Sequence, residues 1–106
     1  MGDKEFLVYL SPEREDRLRY LHTSQRGRIT RFCVQYEALI GDEWEPMVRY
    51  DTAHGRPHKD LLHRDGTQTK QEFRGYSAEE VLLLGERDIR ATWHRYREAY
   101  EKETLP

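Results

Sequence analysis

Between Arg28 and Ile40 the apolar residues Phe32, Val34, Tyr36, Ala38 and Ile40 recur at every second position, with Arg31, Gln35 and Glu37 among the residues between them. That period belongs to a strand with one dry face and one wet face; wound into a helix, the same residues would scatter around the whole cylinder. Gly41-Asp42 then supplies a tight turn, and from Trp44 to Asp51 the side chains Trp44, Pro46, Val48 and Tyr50 alternate with Glu45, Met47, Arg49 and Asp51. The two runs read as a β-hairpin. Pro46 has no N–H to give to a ladder, which favours a sheet edge or a bulge at that point.

The flanking sequence extends the same pattern. Glu5 to Leu10 is rich in β-formers and is ended by Ser11-Pro12. Glu13 to Thr23 is highly charged but carries Leu18, Tyr20 and His22 at alternate positions, and Ser24 to Gly27 supplies a turn. Asp65-Gly66 turns the chain again, and Thr67 to Arg74 is a weak, polar strand suited to a sheet edge. Ser77-Ala78-Glu79-Glu80 is a capping box, which opens a helix. Leu82, Ile89, Trp93, Tyr96 and Tyr100 then lie along one side of that helix as far as about Lys102. Gly85 costs about 1 kcal/mol against alanine inside a helix, which marks close packing on the sheet or a break into two helices; one bent or interrupted helix, broken near Gly85, is expected.

These elements predict one α+β domain over residues 1–106: an antiparallel, twisted β-meander of about five strands packed on one C-terminal helix. The expected core is Phe6, Val8, Phe32, Val34, Tyr36, Trp44, Val48, Leu61, Leu82, Ile89, Trp93 and Tyr96. Hydrophobic residues make up only 36% of the chain, but seven tyrosines, three phenylalanines and two tryptophans bury large areas from few positions. A net charge of −2 provides no global attraction to nucleic acid. The lone Cys33 excludes an internal disulfide, and the absence of a long apolar run or a signal-like leader predicts a cytoplasmic protein with no membrane partner. Arg87, Arg90, His94, Arg95 and Arg97, balanced by Glu86, Asp88, Glu98 and Glu101, read as a solvated helix face.

Chemistry concentrates between Arg49 and Gly66, where His54, His58 and His63 stand among Asp51, Asp60 and Asp65 with Arg49, Arg56, Lys59 and Arg64. Gly55 and Pro57 argue against a helix here, so a second hairpin around the loop Ala53 to Arg56 is the economical solution. In that register Asp51 faces His58, Arg49 faces Asp60 and Val48 meets Leu61, pairing charge with charge and apolar with apolar.

Three readings follow. In the first, His54, His58 and His63 ligate a zinc, nickel or iron ion with Asp51, Asp60 or Asp65. In the second, His58 and His54 move protons without a metal or other cofactor. Asp51 then orients His58, Arg49 stabilises charge, and Arg56, Lys59 and Asp60 contact substrate. In the third, the stretch is a polar sheet face and a well-formed turn, with an Asx interaction at Asp51 and an Arg49–Asp60 cross-strand pair.

The run Val48-Arg49-Tyr50-Asp51, followed by Ala53-His54, Pro57-His58-Lys59 and Asp65-Gly66, resembles small uncharacterised bacterial proteins and is distantly similar to the TumE-type toxins of toxin-antitoxin pairs. The resemblance spans about Tyr36 to Leu84. It implies an α+β domain with ribonuclease activity, RNA as substrate and an antitoxin-like protein as partner. Arg49, Tyr50, Asp51, Ala53, Pro57, His58 and Lys59 are the matching positions. Here the loop is shorter than in those toxins, and Asp60 follows Lys59. Besides the toxin-like enzyme, the sequence is compatible with a non-enzymatic interaction or metal-binding domain that uses the polar sheet face.

Overall fold

The computed structural model describes residues 2–103, with His54 described by its backbone alone. Six strands form one antiparallel sheet in simple sequence order: β1 (Gly2–Tyr9), β2 (Asp16–Gln25), β3 (Arg28–Ile40), β4 (Glu43–Asp51), β5 (His58–Leu62) and β6 (Gln68–Glu72). A short 3-10 turn, Ala53–Gly55, joins β4 to β5, and the helix α1 (Ala78–Lys102) closes the fold. The architecture is the expected α+β meander with one C-terminal helix. Six strands stand where about five were expected, and the last, β6, is the weak polar edge run, whose residues are all exposed.

The second hairpin has the expected register, with Val48 opposite Leu61, Arg49 opposite Asp60 and Asp51 opposite His58. Pairing continues into β6, where Glu72 faces His58 and Lys70 faces Asp60. Alternation therefore carries two rows of mostly polar side chains across the sheet face that α1 leaves uncovered. One row runs Leu21, Cys33, Asp51, His58, Glu72, and the next runs Arg19, Gln35, Arg49, Asp60, Lys70.

The opposite face is the core side. Leu18, Val34, Tyr36, Ala38, Val48 and Tyr50 are buried there with Val81, Leu82 and Ile89 of α1, and Phe6, Val8, Leu61, Trp93 and Tyr96 pack around them, partly buried. The helix begins at the Ser77 capping box and runs unbroken through Gly85. A Cβ on Gly85 would lie 2.6 Å from Cγ of Tyr50, so the glycine is required by close approach to the sheet, not by a break.

Trp44 departs from the expected core. The β3–β4 register shifts between Tyr36 and Glu37, which pair with Val48 and Pro46 and leave Met47 as an extra residue. This bulge, beside Pro46, reverses the facing of the strand: Met47 and Val48 are both buried, while Trp44 moves to the helix-free face beneath the Arg17 guanidinium, 3.8 Å from its ring centroid. Arg97 likewise leaves the solvated helix face. Its Nη1 lies 2.8 Å from Oδ1 of the buried Asp16, which also accepts the Tyr36 hydroxyl at 2.5 Å, so one carboxylate ties the helix to β2 and β3.

Candidate functional site

The expected cluster assembles around His58. Asp51 ends β4 and His58 begins β5 directly opposite, while Asp60 follows two residues later on the same face. All three are buried, with relative exposures of 9, 5 and 4%. His58 Nδ1 lies 3.1 Å from the carbonyl oxygen of Arg56, and Nε2 lies 2.8 Å from Asp51 Oδ1 and 3.3 Å from Asp60 Oδ2. A carbonyl only accepts, so Nδ1 carries the proton and donates it. Nε2 is thereby aimed at two carboxylates, an arrangement that a proton or a cation shared among the three groups satisfies.

One ligand atom from each of Asp51, His58 and Asp60 lies within 4.8 Å of the others, a spacing suited to a single metal ion. Asp51 Oδ1 is also fixed by the Ala53 N–H at 3.2 Å, the Asx interaction expected at this turn. Asp60 Oδ1 is buried and accepts no hydrogen bond among the described residues; the nearest cation, Lys70 Nζ, stands 3.8 Å away, beyond hydrogen-bond reach.

The remaining candidate residues divide. Arg49 shares the face, but its Nε donates to Gln35 Oε1 at 2.6 Å rather than pairing with Asp60. Gln35 in turn donates to Glu37, which also receives Arg17 and Arg19 at 2.6 and 3.0 Å. Burial acts to raise the Glu37 carboxyl, yet Arg19, Arg17 and Gln35 outweigh it and hold the group below its ordinary value. Arg56 is exposed on the loop and lies 3.7 Å from Glu72.

Lys59 is not part of the cluster. As the residue between His58 and Asp60 it points to the helix side, where Nζ donates to the Tyr96 hydroxyl at 2.9 Å and lies 4.0 Å from Asp88. His63 is also elsewhere, held between Glu103 at 2.9 Å and Thr69 at 2.6 Å, and so does not join the ligand set proposed with His58. The side chain of His54 lies outside the described residues.

Two groups of residues were not foreseen. Tyr50, Tyr96 and Thr92 all donate to Asp88, with Tyr50 at 2.6 Å and Thr92 at 2.8 Å. Burial opposes ionisation of Asp88, but these donors win and its carboxyl lies below the ordinary range. No spacing in the chain announces this network, because it depends on how α1 is set down on the sheet. Lys70 and Glu72 are different: continuing the β4–β5 pairing through Asp65-Gly66 would have brought them opposite Asp60 and His58.

Open space adjoins the cluster on both sides. A shallow cleft of about 650 Å³ has Leu21, Thr23, Phe32, Cys33 and Asp51 in its lining, and a smaller one of about 190 Å³ is lined by Ala53, Arg56, His58, Lys70 and Glu72. Burial pushes the Cys33 thiol up to about 11.

A family model described as Domain of unknown function (DUF7718) matches residues 1–105. The chain belongs to this family. No curated protein and no solved structure matches this DUF7718 chain. Among its described residues no helix is long and apolar enough to cross a membrane.

Proposed function

We propose that this domain binds one divalent transition-metal ion through Asp51, His58 and Asp60. The reading rests on His58: its Nδ1–H is engaged by the Arg56 carbonyl while Nε2 faces Asp51 Oδ1 at 2.8 Å and Asp60 Oδ2 at 3.3 Å. A backbone carbonyl that fixes the tautomer and ring orientation is the usual outer partner of a metal-ligating imidazole. One nitrogen and two carboxylates suit Mn²⁺, Fe²⁺ or Zn²⁺. Asp60 Oδ1, which is buried and accepts no hydrogen bond among the described residues, supports the same reading, since an ion held by this carboxylate would also compensate that oxygen. His54 and His63 are not needed.

The metal-free alternative, a toxin-like ribonuclease checked by an antitoxin, rests on the resemblance of Arg49 to Lys59 to TumE-type toxins. It asks Lys59 to serve beside His58, but Lys59 is engaged with Tyr96 on the other face. It also asks His58, with 7% of its side chain exposed, to exchange protons with RNA. Growth and RNA integrity after induction of wild type and His58→Ala test that alternative directly.

For the metal reading, the purified chain is stripped with chelator and titrated with Mn²⁺, Fe²⁺ and Zn²⁺. One equivalent should survive gel filtration. At a hundredfold excess over Kd the ion adds about 2.7 kcal/mol, a rise in Tm of roughly 10 °C for a domain of this size. His58→Ala should abolish both effects. Failure of every metal to be retained or to raise Tm rejects the reading.

A further inference from the structure

The three candidate ligands come from one face of two adjacent strands, so they would hold an ion from one side and leave its other positions to ligands from outside the sheet. Two carboxylates and a neutral imidazole cancel a dication, leaving a centre with open positions and no net charge. On the small-cleft side two cationic side chains flank the cluster. The small cleft beside His58 carries the Arg56 and Lys70 side chains, 67 and 50% exposed. Lys70 Nζ, 3.8 Å from Asp60 Oδ1, is already at the edge of the ligand set, and the peptide carbonyl of Arg56 holds the imidazole. Glu72 is the one acid in that lining; it lies 3.7 Å from Arg56 and competes for it.

Resting on the metal reading above, we infer that the centre binds a small organic oxyanion, with its phosphate or carboxylate head on the ion between Arg56 and Lys70 and its body in the larger cleft. The small cleft, about 190 Å³, suits a head group; it is below the range of about 300–1,000 Å³ that holds whole organic ligands. The larger cleft meets the centre at Asp51 and offers the exposed Leu21 as apolar surface. Asp3 and Glu5 also line it, with Arg31 as the only basic residue among the described residues of that lining. Two acids repel further phosphates, which disfavours a polyanion such as RNA and favours a ligand with a single charged end.

The experiment is calorimetric titration of the Mn²⁺-loaded full chain with phenylphosphonate and with benzoate, which share a body and differ in head group. One of them should bind with unit stoichiometry, only when Mn²⁺ is present, and which one binds identifies the head. In chains loaded with Mn²⁺, Arg56→Ala and Lys70→Ala should each weaken binding by about tenfold, the loss of one charge-assisted hydrogen bond; Glu72→Gln should preserve or tighten it. If Mn²⁺ is held and neither acid binds, or if both alanine variants bind as wild type does, the oxyanion inference is overturned while the metal reading stands. If a single-stranded RNA oligomer binds the loaded chain more tightly than either acid, the assignment to a small organic ligand is overturned. If Mn²⁺ itself is not held, the metal reading fails first and this inference falls with it.

Discussion

Gly85 of α1 rests on the ring of Tyr50, so close that an added Cβ would stand 2.6 Å from Cγ and 2.9 Å from Cβ of the tyrosine. Tyr50 is 2% exposed and is fixed at its far end by Asp88. Gly85→Ala should therefore destabilise the domain by about 2 kcal/mol through overpacking, despite the gain of about 1 kcal/mol in helix propensity. Chemical denaturation measures it, and a stabilised variant would rule out the close approach.

Arg97 and Asp16 form a second tie between helix and sheet, with side-chain exposures of 20 and 5%. Arg97→Leu leaves the Asp16 carboxylate buried without its cation and should cost about 3 kcal/mol. Arg95→Leu, at an exposed neighbouring position, should change stability by less than about 0.5 kcal/mol. Equal effects at the two positions would contradict the buried pair.

Glu37 links stability to pH. Burial works to raise its carboxyl, but the hydrogen bonds from Arg19, Arg17 and Gln35 prevail, so its folded value lies below the ordinary 4.5. A group depressed by folding contributes its stability in full above the unfolded value and loses it as pH falls through the folded one. Glu37→Gln should cost about 2 kcal/mol at pH 7, and the variant and wild-type curves should converge below pH 4.5. Parallel curves from pH 7 down to pH 3 would refute the linkage.

Cys33 should be a slow nucleophile. With burial raising its thiol to about 11, the thiolate fraction at pH 8 is about a hundredfold below that of an ordinary cysteine. Alkylation by iodoacetamide, followed by mass spectrometry, should accelerate about tenfold per pH unit between pH 8 and 10. Rapid labelling at pH 7 would count against the burial described.

Asp60 separates stability from binding. In the metal-free chain Asp60 Oδ2 lies 3.3 Å from His58 Nε2 and Oδ1 3.8 Å from Lys70 Nζ, so Asp60→Asn, which removes one partner of a buried group, should cost about 1 kcal/mol. The same variant should lose the stabilisation conferred by Mn²⁺. Thermal melts with and without the ion measure both effects, and a variant that keeps the full Mn²⁺ response would remove Asp60 from the ligand set.

Much of this organisation was legible in the residues. The alternation of Arg28 to Ile40, the capping box at Ser77 and the charge pairing of Asp51 with His58 each have one local solution, and the structure adopts it. Trp44 was placed on the wrong face because a single bulged residue, Met47, reverses an alternation that carries no mark of it. Lys59 could have been separated from His58 and Asp60 by alternation alone, since neighbours on a strand face opposite ways. Asp88 and Arg97 could not have been found in this way, because their partners Tyr50 and Asp16 are set by the docking of α1 on the sheet.

The strands lie in the sheet in the order in which they are translated. Every pairing closes a short connection, so each costs little chain entropy, and no strand must wait for a distant one. Asp51, His58 and Asp60 belong to one hairpin and come within reach of each other before α1 has left the ribosome. The helix, made last, covers the other face. Assembly of the candidate centre and burial of the core are thus separable events during synthesis.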